Sequence, residues 1–302
     1  MVESHQTVLQ PSTPKSNILA ICLVLASVSM IALSAYFAKR LIGEMPSSQI
    51  LWLRFAGYVV LMAIPTIFLF SRELRRPHAP LHHVMRGLLA IAVAYSFLLA
   101  LERMQLTETM AVFYVFPLLG YVGGVLVLGE RSRLALWVTI AIGFCGVLIF
   151  LRPQAGAINI GVILALAAAV FASGRILFYR NDAGRTSVLV ASFWERAVGF
   201  AVLSVIAPLQ SVAIQPDQFF DISGLIISGI LAQILLVWAL ARGSIGALAP
   251  FFYWELIFAV LLDVAFLGTR LDMTAIFGVG LIFACGVGMA IISQRHHEQK
   301  PG

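Results

Sequence analysis

The length of its apolar blocks constrains this chain more than any other feature. Ile18–Phe37 and Gly246–Leu267 each run for about 20 residues with few polar side chains. At 1.5 Å per residue a helix of that length matches the roughly 30 Å hydrocarbon slab of a bilayer. Composition agrees, since 61% of the chain is hydrophobic, 11% is charged and the mean hydropathy is +0.97. A soluble chain carries roughly 25% charged residues, so too few charges remain to coat a water-facing surface. A soluble enzyme, a nucleic-acid-binding domain and a disordered tail are excluded, and the chain is expected to be an all-α integral membrane protein.

The polar punctuation predicts ten transmembrane helices, at 18–38, 47–70, 85–101, 107–129, 134–151, 159–179, 187–209, 222–241, 246–267 and 273–292. Each break carries a charge or a turn former, such as Lys39-Arg40 with Pro46, Arg72–Pro80, Glu130–Arg133 and Gln215–Asp221. Helices are preferred to a barrel because each satisfies its own backbone groups, and the blocks are too long and uniform for alternating strands.

Within the net charge of +6, it is placement that carries information. With this topology twelve Lys and Arg fall on the side of the termini (Lys15, Arg72, Arg75, Arg76, Arg86, Arg131, Arg133, Arg180, Arg185, Arg242, Arg295, Lys300) and five on the other (Lys39, Arg40, Arg103, Arg152, Arg270). The positive-inside bias puts both termini in the cytoplasm, giving cytoplasmic tails at 1–17 and 293–302. No cleavable signal peptide is expected before the first span. The three cysteines sit in apolar blocks without partners at metal-ligand spacing, and the six histidines are assigned to polar segments. No metal or cofactor is therefore expected.

The two halves repeat. Trp52-Leu53-Arg54 returns as Trp194-Glu195-Arg196 and Asn17-Ile18 as Asn159-Ile160, both 142 residues on. Phe113-Tyr114 returns as Phe252-Tyr253, and Leu128-Gly129-Glu130-Arg131 as Leu267-Gly268-Thr269-Arg270, both 139 on. Five spans per copy is an odd number, so the second copy enters the membrane inverted. Inverted repeats around a central, midplane cavity are the construction of many secondary transporters.

Pro117-Leu118-Leu119, Leu128-Gly129-Glu130-Arg131 and the Gly143/Gly146 segment ending at Arg152-Pro153 resemble the EamA-type half of the drug/metabolite transporter superfamily. The likeness runs through a first five-helix repeat at 18–152 and a second at 159–292, with Thr269 and Leu256 departing where Glu130 and Pro117 stand in the first copy. The resemblance implies a ten-helix carrier of the bacterial inner membrane. Spans one to four of each half would surround the cavity. Its members move amino acids, aromatic metabolites or vitamins such as riboflavin.

Charge inside a bilayer costs about 2.5–3.5 kcal/mol at the centre, so each such residue needs a reason. Arg54 and its repeat mate Arg196 are expected to hold a substrate carboxylate or phosphate, or to pair with a helix carboxylate. Glu255, near mid-membrane, would bind a cationic group, take up a coupling proton, or pair with Arg196. Asp263 and Arg175, near span ends, would snorkel or gate. Trp52, Trp194, Tyr95, Tyr114 and Tyr253, with Trp238, are candidates for stacking on a planar ring or a cation. Pro117 and Pro250 are the expected kinks or hinges, Pro117 freeing the Phe113 carbonyl. His82-His83 and Arg72–Arg76 are assigned to a solvated cytoplasmic loop.

The expected partners are a small-molecule substrate, the bilayer and protons, with no nucleic acid, and the protein acting as a monomer or homodimer. A membrane-embedded enzyme and a channel-like subunit are the alternatives. A carrier is favoured because no phosphate-binding loop, Asp-rich metal motif or activated serine appears.

Overall fold

The computed structural model describes residues 14–75, 80–128, 159–181, 187–243, 248–269 and 273–298, with residues 134, 137, 138, 141, 142, 145 and 146. Its helices are α1 Pro14–Leu41, α2 Ser47–Arg75, α3 Pro80–Leu101, α4 Leu106–Phe113, α5 Phe116–Leu128, α6 Ile160–Asn181, α7 Val188–Ile206, α8 Phe219–Leu240, α9 Trp254–Phe266 and α10 Met273–Glu298. No strand occurs among the described residues.

Among the described residues seven segments are long and apolar enough to cross a membrane, and Ile276–Cys285 adds a shorter apolar stretch. The exterior is apolar in keeping with lipid contact: Phe68, Leu126, Phe266 and Met273 all stand exposed. The chain is thus an all-helical, multi-pass membrane protein. The expected span at 134–151 lies largely outside the described residues.

Two expected spans are not continuous α-helices. The block at 107–129 breaks between Phe113 and Phe116, where Pro117 has no N–H to offer the Phe113 carbonyl. The block at 246–267 enters as a 3-10 turn, Ala249–Tyr253, with Pro250 in its first turn, and becomes α-helical only at Trp254. Elsewhere helices outrun the expected spans, α2 continuing to Arg75 and α3 starting at Pro80.

Packing pairs helices across the two halves of the sequence: α1 lies on α8, α3 on α6, and α2 on α7, with α3 also touching α7 and α2 touching α8. Small residues let these backbones approach. Ser27 and Ser34 of α1 donate to the Ala232 and Leu225 carbonyls of α8 at 2.8 and 2.9 Å. Gly224 lies under the Phe37 ring, and Gly199 under Phe55.

The α3–α4 turn is clamped from several helices. Lys39 of α1 donates to the Leu101 and Met104 carbonyls at 2.5 and 2.8 Å. Ser47 of α2 bonds Glu102, and Met104 packs on Gly161 of α6. Asp263 of α9 accepts the Thr107 N–H at 2.5 Å, satisfying an otherwise orphaned donor in the first turn of α4. Asp263 is 0% exposed, so the expectation that it snorkels is corrected: its oxygen is consumed by a helix N-terminus.

Candidate substrate-binding site

A cavity of about 590 Å³ opens between the two halves, walled by α1, α2, α3, α6, α7 and α8 and by the broken regions around Tyr114 and Tyr253. Of the residues expected to form a site, Arg54, Arg196, Glu255, Tyr114, Tyr253 and Pro117 line it. They reach it from four different places in the fold.

The two helix breaks face one another. Tyr114 follows the last turn of α4, and Glu255 sits in the first turn of α9, where the N-terminal dipole favours a carboxylate. The Tyr114 hydroxyl lies 2.6 Å from Glu255 Oε2 and 3.0 Å from the Phe252 carbonyl, donating into that pair. The Tyr253 ring lies 5.4 Å from that of Tyr114. Glu255 is therefore held by a tyrosine from the other half. The possible Glu255–Arg196 ion pair does not form.

Arg54 enters from α2 and Arg196 from α7. Arg196 lies over two rings of α2, its Cζ 5.4 Å from the Phe55 centroid and 5.1 Å from that of Tyr58. Such placement steadies a cation without neutralising it. Both Arg54 Nε and Arg196 Nε are buried without a hydrogen-bond partner. Among the described residues neither arginine has a carboxylate within salt-bridge distance. Arg54 lies in the field of both Arg196 and Glu255, so two guanidiniums face one carboxylate.

The remaining expected site residues lie off the wall. Trp52 donates to Ser204 Oγ at 2.9 Å and packs on Phe200, joining α2 to α7. Trp194 is half-buried with its Nε1 unpartnered. Tyr95 packs against the central apolar core. Trp238 is 54% exposed on the outside of α8, and Pro250 only opens the 3-10 turn.

Several polar residues take positions that spacing along the chain did not indicate. His82 and His83 belong to α3 rather than a solvated loop, and His83 and Arg86 are buried. Arg86 Nε lies 3.0 Å from Glu195 Oε1 of α7. Arg175 lies on the cavity wall, 3.7 Å from the other oxygen of Glu195, and does not snorkel away. Gln233 of α8 also lines the cavity and donates to Ser192 Oγ at 3.2 Å. A lone amide in an apolar block was its signal, and a search by charge passes over it. Among the described residues no three metal-ligating side chains cluster.

Comparison with known proteins decides the family. The model of the EamA-like transporter family matches residues 18–152 and again 159–292, most of the chain. The chain belongs to the EamA-like transporter family. The resemblance read from the sequence motifs is thereby shown, and the EamA-like chain is a transporter rather than an enzyme. It is similar to an S-adenosylmethionine uptake transporter of Rickettsia prowazekii (strain Madrid E), 23% identical over 271 residues, covering 89% of this chain and 91% of that one. An uncharacterized transporter of Helicobacter pylori (strain J99 / ATCC 700824) is 24% identical over 218 residues, covering 69% and 71%. A solved crystal structure at 20% identity superposes with a TM-score of 0.64 over 94% of this chain and 99% of its own. That likeness shows the fold of this EamA-like chain.

Proposed function

We propose that this EamA-like chain is a secondary carrier of the bacterial inner membrane, moving a small organic metabolite by alternating access, with both termini cytoplasmic. One observation carries the reading: half-buried Arg54 and Arg196, each with a buried Nε lacking a hydrogen-bond partner and no carboxylate within salt-bridge distance, line a cavity of about 590 Å³. An uncompensated buried charge is costly, and a substrate carboxylate or phosphate would complete the wall through bidentate bonds. The volume falls within the range of roughly 300–1,000 Å³ found for small-molecule sites.

Glu255, braced by Tyr114, is assigned to an ammonium or other cationic group, or to a coupling proton. Phe97, Phe113 and Phe116 line the same cavity with rings 5.0–5.3 Å apart in successive pairs, a surface for a planar ring. The substrate class is thus a carboxylate-bearing amino acid or aromatic metabolite, and a vitamin such as riboflavin, which has a planar ring but no carboxylate, would use the ring surface alone. S-Adenosylmethionine, named for several relatives, carries a carboxylate, an ammonium, a sulfonium and a purine, which suits all three contacts.

The inverted repeat is part of the proposal. Two observations support it: the nearly constant sequence offset, 142 residues early and 139 later, and a packing pattern in which α1–α8 and α3–α6 exchange when the halves are exchanged while α2–α7 maps onto itself. The breaks at Pro117 and Pro250 are assigned as hinges. One chain supplies the whole cavity, so a monomer would suffice.

The test is counterflow in proteoliposomes with S-adenosylmethionine, tryptophan and riboflavin. Saturable counterflow of at least one is expected, falling tenfold or more in Arg54→Gln and Arg196→Gln at normal expression. Linear, unsaturable flux, or full activity in both variants, would overturn the reading. Glu255→Gln with unchanged uptake at every pH would remove Glu255 from the mechanism.

A further inference from the structure

One face of α8 lines the cavity over three successive turns, through Leu225, Gly229 and Gln233. Gln233 brings a primary amide into the stretch Gly229–Val237, whose other residues are all apolar. A polar group placed there is costly unless it finds partners. Its Nε2 donates to Ser192 Oγ of α7 at 3.2 Å. Among the described residues Gln233 makes no other hydrogen bond, so Oε1 and the second Nε2 hydrogen remain free in the wall. The serine tethers the amide and leaves one acceptor beside one donor.

This polar pair lies one helical turn from the arginines. Gly229 precedes Gln233 by four residues, and a Cβ there would stand 3.8 Å from Arg54 Nε and 3.4 Å from Ser34 Oγ. Arg54 therefore reaches α8 at the glycine, one turn from the amide. Arg196 follows Ser192, the anchor of Gln233, by four residues on α7. Each step is about 5–6 Å, which a single small molecule spans.

We propose that Gln233 is a specificity-determining residue of the cavity. It reads a flat edge carrying a donor beside an acceptor, on a molecule whose anionic group is held by Arg54 and Arg196. A primary carboxamide presents such an edge, and so do the amino group and adjacent ring nitrogen of an aminopurine, which Gln pairs bidentately. The inference rests on the anion site assigned above. The competing explanation is a fixed tie between α7 and α8 that never meets substrate.

The experiment uses the full chain in lipid nanodiscs and two ligand pairs whose members share a carboxylate and an ammonium. One pair is S-adenosylmethionine with its 7-deaza analogue, which lacks the ring acceptor, and the other is L-glutamine with L-homoleucine, which lacks the amide. Dissociation constants are measured for wild type, Gln233→Leu, Gln233→Met and Arg54→Gln. Wild type is expected to prefer the edge-bearing member of at least one pair about tenfold, and the pair that shows it identifies the edge. Gln233→Leu should erase that preference, weakening the edge-bearing member about tenfold and leaving the other within twofold. Gln233→Met, unbranched and close to glutamine in length, gives the same comparison if the leucine variant does not fold. No preference in wild type, or equal weakening of both members in the Gln233 variants, overturns the inference. Arg54→Gln should weaken all four ligands and leave each ratio intact. If it does so while the Gln233 variants keep the preference, Gln233 is a tie and the anion site stands. If Arg54→Gln weakens none while Gln233→Leu erases the preference, the anion site falls and the amide subsite stands.

Discussion

Gly199 tests whether the platform beneath Arg196 matters. A Cβ at this position would lie 2.3 and 2.4 Å from two carbons of the Phe55 ring. Carbon atoms in contact prefer about 3.5–4.0 Å, so the ring must recede by about 1 Å in Gly199→Ala. Phe55 is 2% exposed, which leaves it nowhere free to go, and its face supports the Arg196 guanidinium at 5.4 Å. Overpacking of this kind costs about 1–3 kcal/mol, offset by up to about 1 kcal/mol of better helix propensity. Moving the ring also surrenders part of a cation–π contact of about 0.5–2 kcal/mol. The variant should unfold a few degrees lower in detergent and show a raised KM in counterflow. Gly199→Ala combined with Phe55→Leu should regain much of the lost stability, because the smaller side chain yields the space. A Gly199→Ala protein as stable as wild type, or a double variant no better than the single, would refute the steric argument.

Asp263→Ala should destabilise the protein by about 1–3 kcal/mol, the range for stranding a buried donor, here the Thr107 N–H that Asp263 now accepts. Asp263→Asn keeps an acceptor and should lose less, with thermal unfolding as the measure. Glu195→Gln leaves buried Arg86 facing a neutral amide, and a loss of about 3–5 kcal/mol is expected from breaking a buried pair. Unaltered unfolding would mean that Arg86 is compensated elsewhere. Trp52→Phe removes the bond to Ser204 and should lower stability by about 0.5–1.5 kcal/mol while leaving the counterflow KM unchanged, since Trp52 lies off the cavity wall.

Arg54, Arg196 and Glu255 were legible in the sequence because charge deep inside an apolar block has few explanations. Tyr114 was legible as a candidate, though not as the brace of Glu255, since the partner lies 141 residues away. His82 and His83 were misplaced because polar residues just before an apolar block look like the end of a loop, whereas α3 begins at Pro80 and includes them. The bond of Arg86 to Glu195 was not legible either, since that partner lies 109 residues on. Asp263 was taken for a snorkelling side chain on distance from the span end, whereas its partner is the N-terminus of α4, just after the α3–α4 turn. Spacing along one chain locates periodic faces and buried charges. It does not reveal which helices meet, and pairing settles what each charge does.

The unequal count of guanidiniums and carboxylates in the wall has an electrical consequence. With Arg54 and Arg196 facing Glu255, the empty cleft carries one more positive charge than the same cleft holding a univalent anion. Each elementary charge carried across the full membrane potential is worth about 2.3 kcal/mol per 100 mV. A wall that shifts through even part of that field is therefore biased differently when vacant and when occupied. Voltage would then act on the return of the unloaded protein as much as on the journey of its cargo.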